Sequence, residues 1–403
     1  MKMPTSLARL DRDTPPQSAN SKKPFYILKT SGETFFSLGQ NAVLEEGPLS
    51  TLSDRTARFF RQRQDGPDIL VGALPFDPAQ SAFLFQPTRV MRVQGKHNLG
   101  HVPGFGASVS NEEPNRILSV SADPAPDVFG NSVLAGLEAM AASQGGLQKI
   151  VLSRSLKVFA SRDFSIADLM SKLALDESIT VFATPLRRQE NGGAMLVGAT
   201  PELLVEKRGN HIASHPLAGS AKRYADSIDD RRSADSLWNS DKDRREHAMV
   251  VESIMDLLTP YCFELSAPEG MALRATASMW HLGTKIVGRL KDASASSEYF
   301  VSLLHPTPAV CGVPRAAAHS KISELEAYDR DFYAGAVGWC DSAGDGRWFV
   351  SIRCAEVEGA NARLYAGAGV VPGSTPQGEI AETAAKFRAM LDAFGIDRDR
   401  SGI

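Results

Sequence analysis

Residues 353–386 read R-C-A-E-V-E-G-A-N-A-R-L-Y-A-G-A-G-V-V-P-G-S-T-P-Q-G-E-I-A-E-T-A-A-K. Leu364 to Val371 has the composition of a strand, and Gly367 and Gly369 bare its backbone to close approach. Val371-Pro372-Gly373-Ser374 has the chemistry of a turn. From Pro376 the period becomes helical, with Ile380, Ala384, Phe387 and Leu391 at core spacing. Another stripe carries Glu379, Glu382 and Lys386 at i, i+3 and i+7. Two carboxylates and an ammonium beside a glycine-opened strand could hold an anionic substrate together with a divalent metal. The same stripe also reads as a solvated face with a Glu382–Lys386 pair.

Outward from that stretch, the chain has 403 residues and a formal net charge of -3, so no global charge points to nucleic acid or an anionic membrane. Cys262, Cys311, Cys340 and Cys354 are scattered, which argues against a zinc site or a disulfide framework. No apolar run is long enough to span a bilayer, and residues 1–23 read as a disordered polar tail rather than a signal peptide. A cytoplasmic protein is expected.

Strand-like runs at Phe25–Leu28, Ile69–Leu74 and Ala82–Phe85 suggest a partly antiparallel sheet. Residues 97–126 read as a long irregular connection, followed by a helix over Val128–Ser143 and a strand over Leu147–Phe159. A helix near Ile166–Leu175 and a strand at Thr180–Thr184 come next. Ala194–Val205 reads either as strand, turn and strand or as strand and short helix. Tyr224–Ser240 is polar enough for a surface insertion with its own helix. Asp241–Leu258 is an amphipathic helix stopped by Pro260, and Ala275–Leu290 returns to strand. A short helix at Tyr299–Leu304, the proline-fixed loop His305–Gly312 and a helix over Arg315–Tyr328 follow. Gly335–Cys340 and Trp348–Ala355 read as strands joined by a tight turn. Hairpins with helices between them predict an α+β fold with antiparallel sheets.

Asp243 and Glu246 repeat the i, i+3 spacing of Glu379 and Glu382, so two helices could together offer oxygen ligands to Mg²⁺. A solvated charge run around Lys242, Arg244 and Arg245 is the commoner use of such a pattern. Lys149 opens an apolar strand and serves as a base only if desolvated or set near a cation; most such lysines reach solvent. Glu202, between Pro201 and two leucines, suits a general acid if buried and a first-turn role otherwise. Gly219 and Ser220 end a strand with free amides and a hydroxyl, and His281 between Trp280 and Leu282 reads as a core histidine or a ligand.

T-P-E-L-L, P-L-A-G-S-A-K-R, K-D-R-R-E-H, H-P-T-P-A-V-C-G, S-I-R, Y-A-G-A-G and G-E-I-A-E-T-A-A-K occur here in that order. Together they resemble the chorismate-utilising enzymes, which include isochorismate, salicylate, anthranilate and aminodeoxychorismate synthases. The resemblance spans roughly residues 128–391 and implies one large domain of antiparallel sheets flanked by helices. The expected organisation is a single catalytic domain over 24–396, with a variable part at 24–127, the motif-bearing part at 128–391 and a tail at 397–403. By resemblance Glu246 and Glu382 bind Mg²⁺ directly while Asp243 and Glu379 assist through water, and the metal holds the ring carboxylate of chorismate. Arg353 and the amides near Gly367 match the pyruvyl-carboxylate site. Gly219, Ser220 and Lys386 line the ring-carboxylate side, and His281 and Ala309 belong to the substrate contacts.

Family members that use water as nucleophile carry lysine at the position of Lys149, and no lysine replaces Ala218. The resemblance therefore implies water addition at C2 with Lys149 as base, and departure of the C4 hydroxyl with Glu202 as acid. The expected activity is isochorismate synthase, an isomerase feeding catecholate siderophores, since Asp243 in K-D-R-x-E-H is closer to that branch. A downstream isochorismatase is a possible partner and a glutamine amidotransferase subunit is not expected. Salicylate synthase is the alternative. A non-catalytic chorismate-binding subunit is disfavoured because Lys149 and Glu202 are both present.

Overall fold

The computed structural model describes residues 25–62, 65–95, 99, 115–142, 146–186 and 193–397, so the tail expected at 1–23 and all but Asp397 of the tail expected at 397–403 lie outside the described residues. Its strands form a ten-stranded, a nine-stranded and a three-stranded sheet, and every strand pairing among the described residues is antiparallel. Eight α-helices among the described residues flank them, so the architecture is α+β in one domain.

The apolar runs near the N-terminus do not alternate with polar residues because both faces of the ten-stranded sheet are covered. Tyr26, Leu28 and Phe35 turn inward against the nine-stranded sheet, where Phe35 stacks on Trp339 at 6.3 Å. Ile27 and Phe36 turn to the other face and join a second core with Leu169 and Met170 of the helix Ile166–Leu173 and Phe387 and Leu391 of the helix Pro376–Phe394.

Two strands change sheets at the same level. Met195–Thr200 belongs to the ten-stranded sheet and Leu203–Arg208 to the nine-stranded one, with Pro201 and Glu202 at the crossing. Gly346–Val350 and Cys354–Glu358 do the same in reverse across Ser351, Ile352 and Arg353. The crossings satisfy one another: Val350 N–H donates to the Glu202 carbonyl at 3.1 Å and Ala199 N–H to that of Arg353 at 2.9 Å. The three-stranded sheet departs in the same way. His211–His215 passes through Pro216 into Leu217–Lys222, and Met279–Thr284 through Lys285 into Ile286–Leu290. The three sheets thus part around one point.

Several expectations are corrected here. Trp348–Ala355 is two strands, because the chain must leave one sheet to enter the other. Ala194–Val205 is resolved as strand, turn and strand. Ala275–Leu290 is likewise two strands in different sheets. Part of the connection expected over residues 97–126 is the strand Ile117–Asp123, a half-exposed partner of Lys149–Ala160 whose serines hid its alternation. The helix expected through Tyr328 ends at Leu325. The helix Ser227–Trp238 in the supposed surface insertion buries Asp230, Ala234 and Leu237, and the Asp230 carboxylate accepts from Arg223 and the Trp280 indole.

Candidate active site

The acidic stripe of the C-terminal helix faces inward. Thr375 caps that helix by accepting from Gly378 N–H at 3.2 Å, Pro376 occupies its first turn, and Glu379 is left only 1 % exposed. The helix Asp241–Leu258 meets it with its own first turns, capped by Ser240, and buries Glu246. Both helices therefore point acidic first turns at one place, where their N-terminal dipoles favour negative charge.

Glu246 packs on the strand Asn361–Val370 where Gly369 leaves room: a Cβ there would lie 2.1 Å from Glu246 Oε1. Lys149, fully buried, brings Nζ to 3.0 Å from the same oxygen; the approach lacks hydrogen-bond alignment and is a contact of charges. Lys242 Nζ donates to Glu379 Oε1 at 2.7 Å, and Glu379 Oε2 is buried with no hydrogen-bond partner. Glu382 Oε1 accepts from Lys386 at 2.6 Å and from the Ser220 hydroxyl at 3.0 Å, while Lys386 also donates to the Gly367 carbonyl at 2.9 Å. The Glu382–Lys386 pair is thus present, but it lies inside rather than on a solvated face.

The titrations reflect this crowding. Burial, then the neighbouring Glu382, pushes the Glu379 carboxyl up to about 7. Burial, with Glu246 and Glu382 nearby, raises Asp243. Burial works the same way on Glu382, but the Lys386 ammonium outweighs it and holds that carboxyl below its ordinary range. Among the described residues no three His, Cys, Asp or Glu side chains stand close enough together to hold a metal ion. Mg²⁺ keeps several waters and needs only one or two carboxylates. The crowded carboxylates and the partnerless Glu379 oxygen suit such a hydrated cation.

The opposite wall comes from the sheet crossings. Glu202 is 2 % exposed, and burial pushes its carboxyl up to about 8 although Lys149, Lys386 and Arg353 pull the other way. Arg353 is held in the left-handed region at φ 50°, which few non-glycine residues adopt. Burial lowers its guanidinium to about 10, and its Nη2 donates to His281 Nε2 at 3.3 Å. That bond requires a neutral imidazole, and burial followed by the Arg353 and Lys386 charges keeps His281 far below its usual range. Gly219 sits at φ 78° in a bulge of its strand, with Asp243 so close that a Cβ would lie 3.0 Å from its Cβ.

Most of these groups line one common cavity. Glu202, Gly219, Ser220, Glu246, His281, Ala309, Arg353, Gly367, Glu382 and Lys386 all line it. Asp243, Glu379 and Lys149 do not; Lys149 contacts Glu246, which does, and Glu379 pairs with Lys242, which does not. Sequence reasoning missed Tyr333 and Tyr365, which also line the cavity and stack on each other at 4.8 Å. Tyr365 lies inside the quoted Y-A-G-A-G motif and could have been singled out there; Tyr333 has no local signal. In the sequence Lys242 carries only the signal of a charge run.

This fold and cavity define a class. Residues 98–395 match the chorismate binding enzyme family, and the chain belongs to it. It is 42% identical over 358 residues to the isochorismate synthase DhbC of Bacillus subtilis, covering 87% of this chain and 88% of that one. To the isochorismate synthase EntC of Escherichia coli K12 it is 35% identical over 403 residues, covering 98% and 100%. Among solved structures, a Bacillus anthracis protein described as a 2,3-dihydroxybenzoate-specific isochorismate synthase, DhbC, superposes with a TM-score of 0.84 at 36% identity, covering 93% of this chain and 97% of that one.

Proposed function

We propose that this chain is an isochorismate synthase, converting chorismate to isochorismate. The observation that carries the reading is one cavity that gathers a protonated buried acid, Glu202, the cations Arg353 and Lys386, and the carboxylates Glu246 and Glu382. The names of its relatives support the same reaction.

In this reading Arg353 and the backbone near Gly367 take the pyruvyl carboxylate, since a guanidinium meets a carboxylate with two parallel bonds. Gly219, Ser220 and Lys386 flank the ring carboxylate, and His281 and Ala309 face the ring. Glu246 and Glu382, with Asp243 and Glu379 through water, would hold Mg²⁺, whose positive charge the ring carboxylate would meet. Lys149, which contacts Glu246 rather than lining the cavity, is in this reading the base for the water that bonds to C2, acting as the free amine once its charged contact with Glu246 has given up the proton. The ring double bonds shift, and the C4 hydroxyl leaves as water with the proton that Glu202 gives up. One water enters and one leaves, so the reaction is an isomerisation and runs in either direction. Glu246, 3.0 Å from Lys149, steadies the ammonium that forms.

In this reading the product feeds 2,3-dihydroxybenzoate, the specificity named for the Bacillus anthracis relative, and through it catecholate siderophores, with an isochorismatase acting next. We place the enzyme in the cytoplasm; four buried free cysteines fit a reducing compartment. The test is incubation with chorismate and Mg²⁺ followed by chromatography. Isochorismate as the accumulating product is expected; salicylate with pyruvate would instead mark elimination.

A further inference from the structure

The strand Lys149–Ala160 pairs along most of its length with Asn361–Val370, but its other edge is incomplete. Gly312–Val313 pairs with Lys149 and Ile150, the Cys311 carbonyl just before it accepts from Val151 N–H at 2.8 Å, and Ile117–Asp123 begins at Ser155. Between them, among the described residues, no strand pairs with Val151–Arg154. A buried ion pair fills that gap. Arg330 Nη2 donates to the Val151 carbonyl at 2.7 Å, and Glu326 Oε1 accepts from Ser153 N–H at 2.6 Å and from its hydroxyl at 2.9 Å. The pair is closed by two bonds, Arg330 Nε to Glu326 Oε2 at 2.8 Å and Nη2 to Oε1 at 2.6 Å. Arg330 Nη1 then reaches the loop after His305 and donates to the Val310 carbonyl at 2.8 Å.

Neither residue lines the cavity, yet what they hold does: Val151, Val310 and, three residues along, Tyr333, whose N–H donates to the Arg330 carbonyl at 2.8 Å. Val151 lies opposite Gly369, the glycine that admits Glu246, and shares its strand face with Lys149 two residues earlier. We propose that Glu326 and Arg330 are positioning residues, an ionic splice that replaces a missing strand and so aims the lysine-bearing strand and the Ala309–Val310 wall at the substrate. The proposal rests on the isochorismate synthase reading. A pair that served stability alone would not need to span two walls of the cavity through backbone carbonyls.

Three variants test it: R330K, whose ammonium cannot serve both carbonyls and the carboxylate; E326D, which shortens the acid by one methylene; and the double variant E326L/R330M, which leaves no unpaired buried charge. Each is compared with the full-length wild type at a temperature where circular dichroism shows it folded. Misplacement by about 1 Å costs about a hundredfold in rate. The expected result is therefore a fall in kcat of at least about tenfold with KM for chorismate within about threefold, the double variant included. A folded variant with wild-type kcat overturns the proposal. So does failure of all three to fold, since the pair would then hold the fold rather than the site. A wild type inert towards chorismate overturns the assigned reaction instead, which keeps the two failures apart.

Discussion

Glu202 is a carboxylic acid near neutral pH because burial outweighs the pull of Lys149, Lys386 and Arg353, and its titration lies near 8. Raised above the ordinary value, the group carries its proton below that pH and loses it as pH rises. The kcat/KM profile for chorismate should therefore fall on its alkaline side with a limb near 8 that belongs to Glu202. Glu202→Gln keeps the shape without the transferable proton, so turnover should drop by about a hundred- to ten-thousand-fold and that limb should vanish. An unchanged limb in the variant would assign it to another group. For Arg353 the proposed role is binding instead. Arg353→Lys should raise KM for chorismate by at least about tenfold, because an ammonium cannot make the paired contact; an unaltered KM would leave Arg353 a purely structural role. These two residues were legible as types within motifs, whereas their settings were not. Nothing in V-S-I-R-C announces that the chain leaves one sheet for another, and the left-handed Arg353 follows from that crossing. The burial of Lys149 was equally hidden, since its partner Glu246 lies about a hundred residues away in sequence.

The strand Asn361–Val370 and the helices Asp241–Leu258 and Pro376–Phe394 were readable as elements, because their periods are long and their capping residues stand in the sequence. What periodicity could not supply was which face each helix buries. Ile380 and Ala384, taken as core positions, are half-buried, while Glu379 and Thr383 are buried outright. A carboxylate on the inner face is decided by what the facing elements offer, here Lys242 and the opposite helix. The glycines of the strand gave the better signal, since bared backbone implied close approach. Gly369→Ala tests that link. Its Cβ would overlap Glu246 Oε1, so the carboxylate must swing away while the strand itself tolerates alanine. The variant should fold, bind Mg²⁺ at least about tenfold more weakly by calorimetry, and lose turnover in proportion. Wild-type metal affinity would show that Glu246 is not where the cation binds.

The three sheets part around a cavity whose walls come from segments scattered between Val151 and Lys386, so at the scale of the whole molecule the site exists only in the folded chain. Local patterns foretold antiparallel sheets but not their number, because strand order is fixed by the cores on both faces rather than by any one run. The same long-range construction couples metal to stability. The unfolded chain separates Glu246 from Glu382 and cannot offer them together, so a cation held by both binds the native state preferentially and stabilises it by mass action. The native state also crowds like charges there: Glu379 and Asp243 are each raised partly by neighbouring carboxylates, a repulsion that a bound cation would relieve. Adding Mg²⁺ should therefore raise the unfolding midpoint, by the equivalent of about 2.7 kcal/mol at a hundred times the dissociation constant. EDTA should reverse the shift. Glu246→Gln and Glu382→Gln should each lower the slope of midpoint against the logarithm of Mg²⁺ concentration, whether or not activity survives. Thermal unfolding of the wild type and both variants across a Mg²⁺ series, with Ca²⁺ and NaCl at matched ionic strength as controls, measures this directly. A midpoint that responds equally to NaCl would reduce the effect to screening and remove the case for a specific cation between the two helices.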